Sequence, residues 1–322
     1  MRITRRVVTA GLLASTLAAP AIATLSSSAF AAEKSTVLLS VPGMNFTFFV
    51  HMMKALKAEA ANQGLDMIEG DGQNSAPKQT ADVEAALAKG VKGIVISPID
   101  VDAMAPALKE AVDAKTPVVT IDRRVPSVTE ILAHVGADNV KGGEAQGNLI
   151  LKLFPNGATI ANLQGQPGSS PAIDRSKGLH NVIDKAGDKY KIVFEQTAQF
   201  DREKGMSVTE SMLAGMATPP QVIIGANDEE ALGALEAVKA RNLKGIVIIG
   251  FDAVPEALAK VRDGELTATI EQFPGKQSST AVKILTDYLK SGKKPEQQVT
   301  LLTPAAITKD NINDAERLDE LK

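Results

Sequence analysis

The chain has 322 residues, room for two domains of ordinary size, and 44% of them are hydrophobic and 23% charged. A formal net charge of −3 excludes the basic surface that a nucleic acid or an anionic membrane partner needs. Cysteine is absent, which excludes disulfides, thiolate metal sites and cysteine nucleophiles.

The first element is an export signal. Residues 1–6 are basic, residues 7–25 are apolar and uncharged, and Ala29-Phe30-Ala31 offers small residues where a signal peptidase cuts. Residues 1–31 are therefore read as a secretory signal peptide, and the mature chain is expected in the periplasm. Arg5-Arg6 leaves open which export route is used.

Beyond it, β-branched runs alternate with stretches of helical spacing. The runs at 36–41, 93–97, 117–121, 158–163, 221–225 and 245–251 predict buried parallel strands. The stretches at 49–63, 80–88, 103–114, 142–153, 178–186, 204–217, 229–241 and 276–291 predict helices. Gly64, Gly90 and Gly292 stand where glycines end helices. The series restarts near 137–139, so two doubly wound α/β lobes are expected rather than one sheet.

Ligands of such sheets lie beyond the carboxyl ends of the strands. After the first strand come Asn45, Phe46, Phe48 and Phe49; the chain has nine Phe and no Trp, and three Phe fall within four positions of this loop. Later strand ends carry Asp122 and Arg123, then Arg175 beside Asp174, then Phe200, Asn227, Asp252 and Gln272. Singly, each has a structural reading. Asp228 or Asp252 fits a helix cap, and Asp122–Arg123 fits a surface ion pair. As a set they repeat once per strand in both halves, with neither sign of charge dominant. That mixture suits a neutral polyhydroxylated ligand. Asp accepts from hydroxyls, Arg donates to them, Asn and Gln do both, and Phe covers the aliphatic ring face.

At these residues the chain resembles the ribose-type periplasmic sugar-binding proteins of ABC transporters, over about residues 35–299. The matching strings are Asn45-Phe46-Thr47-Phe48-Phe49, Val119-Thr120-Ile121-Asp122-Arg123, Ala172-Ile173-Asp174-Arg175, Gln199-Phe200-Asp201-Arg202, Ala226-Asn227-Asp228-Glu229, Gly250-Phe251-Asp252 and Ala268-Thr269-Ile270-Glu271-Gln272. The resemblance implies a type I periplasmic binding protein fold: two Rossmann-like lobes joined by a multi-strand hinge. It places residues 34–137 plus 273–300 in the first lobe and 138–272 plus 301–322 in the second. It implies that Phe48, Phe49 and Phe200 sandwich a ring while Asp122, Arg123, Arg175, Asn227, Asp252 and Gln272 hold its hydroxyls. One position departs. Phe46 stands where ribose binders place a sugar-contacting Asn, and Thr47 replaces the following Pro, which points away from ribose toward another pentose, a hexose or a polyol. Asn45 is a candidate source of the missing amide.

The expected function is capture of a monosaccharide or sugar alcohol and delivery to a membrane permease, by a monomer without cofactor, metal or nucleic-acid partner. The alternative is a sensory subunit that presents the ligand to a chemoreceptor or kinase. A dinucleotide enzyme would need Gly-x-Gly-x-x-Gly at the first strand–helix turn, where bulky Phe46 stands. His51, His134 and His180 have no metal-ligand spacing, and no Gly-x-Ser-x-Gly elbow occurs. A repressor would need a helix-turn-helix where the signal lies.

Overall fold

The computed structural model describes residues 34–321. The signal peptide expected at 1–31 lies outside the described residues, as does Lys322. In chain order the elements are β1 (Thr36–Val41), α1 (Thr47–Asn62), β2 (Asp66–Asp71), α2 (Ala76–Ala88), β3 (Gly93–Ile96), α3 (Ala105–Asp113), β4 (Val118–Ile121) and β5 (Ala133–Ala137). There follow α4 (Asn139–Leu153), β6 (Ala158–Gln164), α5 (Ser170–Ile183), β7 (Tyr190–Thr197), α6 (Arg202–Gly215), β8 (Val222–Gly225), α7 (Asp228–Ala240) and β9 (Val247–Ile249). The chain ends with α8 (Pro255–Asp263), β10 (Thr269–Glu271), α9 (Pro274–Ser291), β11 (Val299–Leu302), β12 (Ala305–Ile307) and two short 3₁₀ turns.

The strands form two separate parallel sheets. The first runs β2-β1-β3-β4-β5-β11 and the second β7-β6-β8-β9. In each, the second strand of the lobe pairs on one side of the first and the third on the other, so each has a switch point beside its first strand. Successive side chains on a strand face opposite sides, which splits the apolar runs between two helical layers. In the first lobe Val37 and Leu39 pack with α1 and α9, while Leu38, Ile94 and Ile96 pack with α2 and α3. In the second lobe Ala161 and Leu163 pack with α6, α7 and α8, while Ala158 and Ile160 pack with α4 and α5.

The chain passes between lobes three times. It leaves the first lobe after Ala137, enters α4, and returns after β10 through Gln272 and Phe273 into α9, which lies against α1. The third passage follows β11, whose ladder with β5 runs to the pairing of Leu302 with Ala137. Leu301 and Leu302 therefore belong to the first sheet, and the passage lies at 303–304, beyond the position near 300 that the resemblance implied. The antiparallel pair β10–β12 closes the hinge.

Several elements differ from the sequence expectation, which lacked α8, β11 and β12. β5 was not expected; its Ala-His-Val-Gly-Ala run is wholly buried but short and poor in β-branched residues. The helix expected from 178 begins at Ser170 behind the N-cap Ser169, because Pro171 suits the first helical turn and loses no intrahelical bond there. Asp174 and Arg175 consequently sit one turn inside α5, not at its start.

Helix pairs in the second lobe meet backbone to backbone at glycines. A methyl group at Gly143 of α4 would lie 2.1 Å from the Arg175 carbonyl oxygen of α5, and one at Gly178 of α5 would lie 2.0 Å from the Val140 carbonyl oxygen. Ala in place of a helical Gly gains about 0.8–1 kcal/mol of propensity, but overpacking against rigid backbone costs about 1–3 kcal/mol or more. The clash wins here because neither backbone carbonyl oxygen can swing away. Gly143→Ala is expected to lower the unfolding free energy by about 1–2 kcal/mol in urea titration; an equal or higher midpoint would mean that α4 can slide off α5.

Candidate ligand site

The carboxyl ends of both sheets face each other across a cleft. There the structure gathers Phe46, Phe48, Phe49, Asp122, Arg123, Arg175, Phe200, Asn227, Asp252 and Gln272 around one small, tightly closed cavity. Pro171, in the first turn of α5, completes the wall. Asn45 does not take part: it is exposed, and its Oδ1 is folded back over Gly43 of its own loop. The local reason is that α1 starts one residue on, with Phe46 as its N-cap residue, so the Phe side chains take the inward positions.

The first lobe supplies the aromatic floor. Phe48 and Phe49 are buried in the first turn of α1, edge to face at 5.2 Å, and Phe46 meets Phe49 at 6.0 Å. Phe46 also packs across the cleft against Ala172, Phe200 and Ala226 of the second lobe. Asp122 follows β4 with φ +59°, and its Oδ2 accepts from Ser97 Oγ at 3.1 Å. Arg123 donates from Nη1 to the Ile99 carbonyl (2.9 Å) and to Gln166 Oε1 of the opposite lobe (3.0 Å), and stands over the Phe49 ring.

The second lobe supplies the other wall. Arg175 donates from Nη1 to the Ala226 carbonyl at 2.6 Å and from Nε to Asn139 Oδ1 at 2.8 Å. Its Nη1 is 3.4 Å from Asp252 Oδ1, and its guanidinium lies 3.6 Å from the centre of the Phe251 ring. Asp252 also accepts from Gln272 Nε2 at 2.6 Å. Asn227 is the N-cap of α7, so one face of its amide is spent on Glu230 N while its Nδ2 reaches the Phe200 carbonyl. Asp122, Phe200, Asp252 and Phe273 all have positive φ, a conformation costly for residues with a Cβ and concentrated here at the strand ends.

Sequence reasoning missed the supports beneath these side chains. Glu230 accepts from Phe200 N and Ala226 N, which pins two strand-end loops together. Asp228 accepts from Thr269 Oγ1 and Val254 N and does not cap α7. Apart from Ala226 N, four residues from Glu230, these donors lie 26 to 41 residues away and leave no local signal. Burial pushes both acids up, Glu230 to about 8.

Electrostatically the cavity is balanced, with two buried guanidinium groups beside two buried carboxyls. Burial raises Asp122, against the pull of Arg123 and Arg175. Burial lowers Arg123 to about 10 and lowers Arg175, with the two Asp residues opposing. Asp252 is pushed up to about 7, chiefly by burial, with Arg175 opposing. Arg123 Nε and Gln272 Oε1 are buried with no hydrogen-bond partner in the protein, Nε lying 3.9 Å from Asp122 Oδ2. Both residues line the cavity, so a donor and an acceptor there are unspent, the pair a hydroxyl satisfies from both sides. Among the described residues no cluster of three His, Cys, Asp or Glu side chains fit to hold a metal occurs.

Protein contacts also bridge the cleft lips. Arg124 forms a two-pronged pair with Asp174, its amide donates to Ser170 Oγ at 3.0 Å, and Val101 N donates to the Gly168 carbonyl at 3.0 Å.

Asp252 gives the unliganded protein a pH signature. Its folded value of about 7 lies above the unfolded value of about 3.9. The stability it contributes is complete below about pH 4 and is lost as pH rises through about 7. Asp252→Asn, which cannot ionise, is expected to lose less stability than wild type between about pH 5 and about pH 8. Urea unfolding at the two values measures it; a constant difference between the proteins would mean that Asp252 is ionised throughout.

Comparison with known proteins agrees with this architecture. The periplasmic binding protein domain family matches residues 37–294. The ribose import binding protein of Bacillus subtilis (strain 168) is 39% identical over 265 residues, 82% of this chain and 85% of the relative. The crystal structure of the Caulobacter myo-inositol binding protein bound to myo-inositol superposes with a TM-score of 0.85 at 40% identity, covering 88% of this chain and 97% of that one. The periplasmic component of the arabinose ABC transporter from Shewanella sp. ANA-3, bound to α- and β-L-arabinofuranose, superposes with a TM-score of 0.83 at 31% identity, covering 89% and 96%. Sequence and fold together place the chain in the periplasmic binding protein family, among the ribose-type sugar receptors of ABC transporters.

Proposed function

We propose that the chain is an exported receptor that encloses one neutral, polyhydroxylated ring, a monosaccharide or a cyclitol of the myo-inositol kind, and presents it to a membrane permease. The observation that carries this reading is the cavity where two Arg, two Asp, an Asn and a Gln meet four Phe side chains. An anionic ligand would need an excess of positive groups, and a cationic one an excess of negative groups. The four charged side chains here offset one another, so the ligand they suit is neutral. Its hydroxyls take up Arg123 Nε and Gln272 Oε1, and its aliphatic faces meet Phe48, Phe49 and Phe200.

The relatives bind ribose, arabinofuranose and myo-inositol by their names, all neutral and ring-forming. They are import receptors, which supports a permease as the partner and the periplasm as the site of action. The family consists of solute receptors, and the chain is a receptor rather than an enzyme. Binding proceeds by rotation of the lobes about the three hinge passages, with the lip contacts at Arg124–Asp174 and Val101–Gly168 formed in the closed state. Closure removes the ligand from water and strengthens each hydrogen bond.

Thermal-shift screening of purified protein against sugars and polyols is expected to give at least one ligand with micromolar affinity or better, about −8 kcal/mol. No shift with any neutral sugar or polyol would overturn the reading. Asp122→Ala should weaken that ligand roughly 10- to 150-fold, corresponding to about 1.5–3 kcal/mol for a charged hydrogen-bond partner. Calorimetric titration measures this, with circular dichroism as the check on folding.

Phe46 is the position where the chain departs from ribose binders, and it also bridges the lobes. Phe46→Asn is expected to reorder the ligand preference toward ribose. An unchanged order across the panel would mean that Phe46 serves only lobe contact.

A further inference from the structure

Arg175 is the only cavity side chain whose guanidinium Nε is held by a residue of a hinge passage. Asn139 is the first residue of α4, directly after the chain leaves the first lobe, and it is buried. Its Oδ1 accepts from Arg175 Nε at 2.8 Å while its Nδ2 donates to the carbonyl of Ala137, the last residue of β5, at 3.3 Å. The Asn139 amide thus joins the final strand residue of one lobe to a ligand-facing cation of the other.

Other contacts hold the rest of this cation. Nη1 donates to the Ala226 carbonyl and faces Asp252, which fixes one end of the planar guanidinium, while Asn139 holds its Nε edge. Phe251 stacks on one face of the guanidinium and stays in place because α4 has a glycine beneath it: a methyl group at Gly142 would lie 2.5 Å from the Phe251 ring. α4 therefore sets both the edge of Arg175, through Asn139, and the plane it stacks on, through Gly142. Rotation of the passage at 137–139 moves Asn139 with it. A guanidinium that loses the Nε partner retains charge but turns within its plane, and a hydroxyl is then met at the wrong angle.

We infer that Asn139, outside the cavity contacts assigned above, is a positioning residue that sets the direction of Arg175 and couples the state of the hinge to hydroxyl recognition. The inference rests on the reading of the cavity as a sugar or polyol site. Glu230 and Asp228 also support the cavity, from within one lobe, and Gln272, itself in a hinge passage, lines the cavity directly. Asn139 acts at the point where the lobes separate.

The test compares Asn139→Ser and Asn139→Ala, whose side chains are too short to reach Arg175 Nε, with Asn139→Asp, which keeps an acceptor at the same reach. Each is titrated with the best ligand of the sugar and polyol panel and with its analogue lacking one hydroxyl. The Arg175 Nε–H resonance is followed by ¹⁵N NMR in unliganded protein. Both short variants should bind roughly 10- to 50-fold more weakly and distinguish the deoxy analogue less well, with the Nε–H resonance lost to exchange. Asn139→Asp should recover affinity to within about fivefold and restore the resonance. A merely structural Asn139 would lower the melting temperature and leave the discrimination ratio unchanged. The inference fails if the short variants bind within twofold of wild type, or if Asn139→Asp is as weak as Asn139→Ser. If wild type binds no sugar or polyol, the reading of the cavity falls and takes the inference with it; that result is separate from one in which wild type binds and the variants bind equally well.

Discussion

A buried guanidinium must have its donors met and its charge answered, and Arg175 satisfies this requirement only when three distant stretches of the chain converge on it. Its partners are Asn139 at a hinge passage, Ala226 after β8, Asp252 after β9 and Phe251 beneath it. Moving such an ion out of water costs several kcal/mol, and one carboxylate alone does not reliably offset that. The parallel sheets make the convergence possible, because every strand of both lobes releases its following residue toward the same cleft.

The same constraint accounts for the acidic scaffold. Glu230 and Asp228 lie wholly buried next to the cavity and hold backbone amides of loops far away in sequence. Their placement fixes Phe200 and the start of α8, so the strained positive-φ residues at the strand ends are held where they are rather than relaxing. The strain is concentrated where geometry matters for recognition. The helix layers behind the sheets are ordinary by comparison, apart from the glycine contacts that draw α4 against α5 and α6 against α7. A methyl group at Gly233 of α7 would lie 2.2 Å from the Arg202 carbonyl oxygen of α6. These contacts set how far the strand-end side chains reach into the cleft.

Two lobes with balanced charge at their interface also explain why the cleft is suited to closing on a neutral molecule. An unbalanced cleft would hold the lobes apart by repulsion or need a charged ligand to bring them together. Here the rim is joined by an opposite-charge pair, Arg124–Asp174, and by backbone contact at Gly168, whose φ of +80° and lack of a side chain admit the Asp100 carboxylate. Phe46 adds an apolar bridge between the lobes. The closed form therefore has protein contacts of its own, to which a ligand adds.

By itself the sequence determined the class of fold and named most of the residues that line the cavity. Parallel buried strands betray themselves as short β-branched runs, and the rule that ligands lie at strand ends then selects Phe48, Asp122, Arg175, Asn227 and Asp252 without any knowledge of contacts. Wherever a residue's role is set by its neighbours across space, the tertiary structure alone decided. Asn45 shares a loop with Phe46 but is exposed, its amide oxygen turned back over Gly43 of its own loop. β5 lacks a propensity signal and exists because β4 and β11 flank it. Glu230, Asn139 and Pro171 look like any surface residue in the sequence. Their function comes from partners tens of residues away, and such pairing leaves no periodicity in the chain.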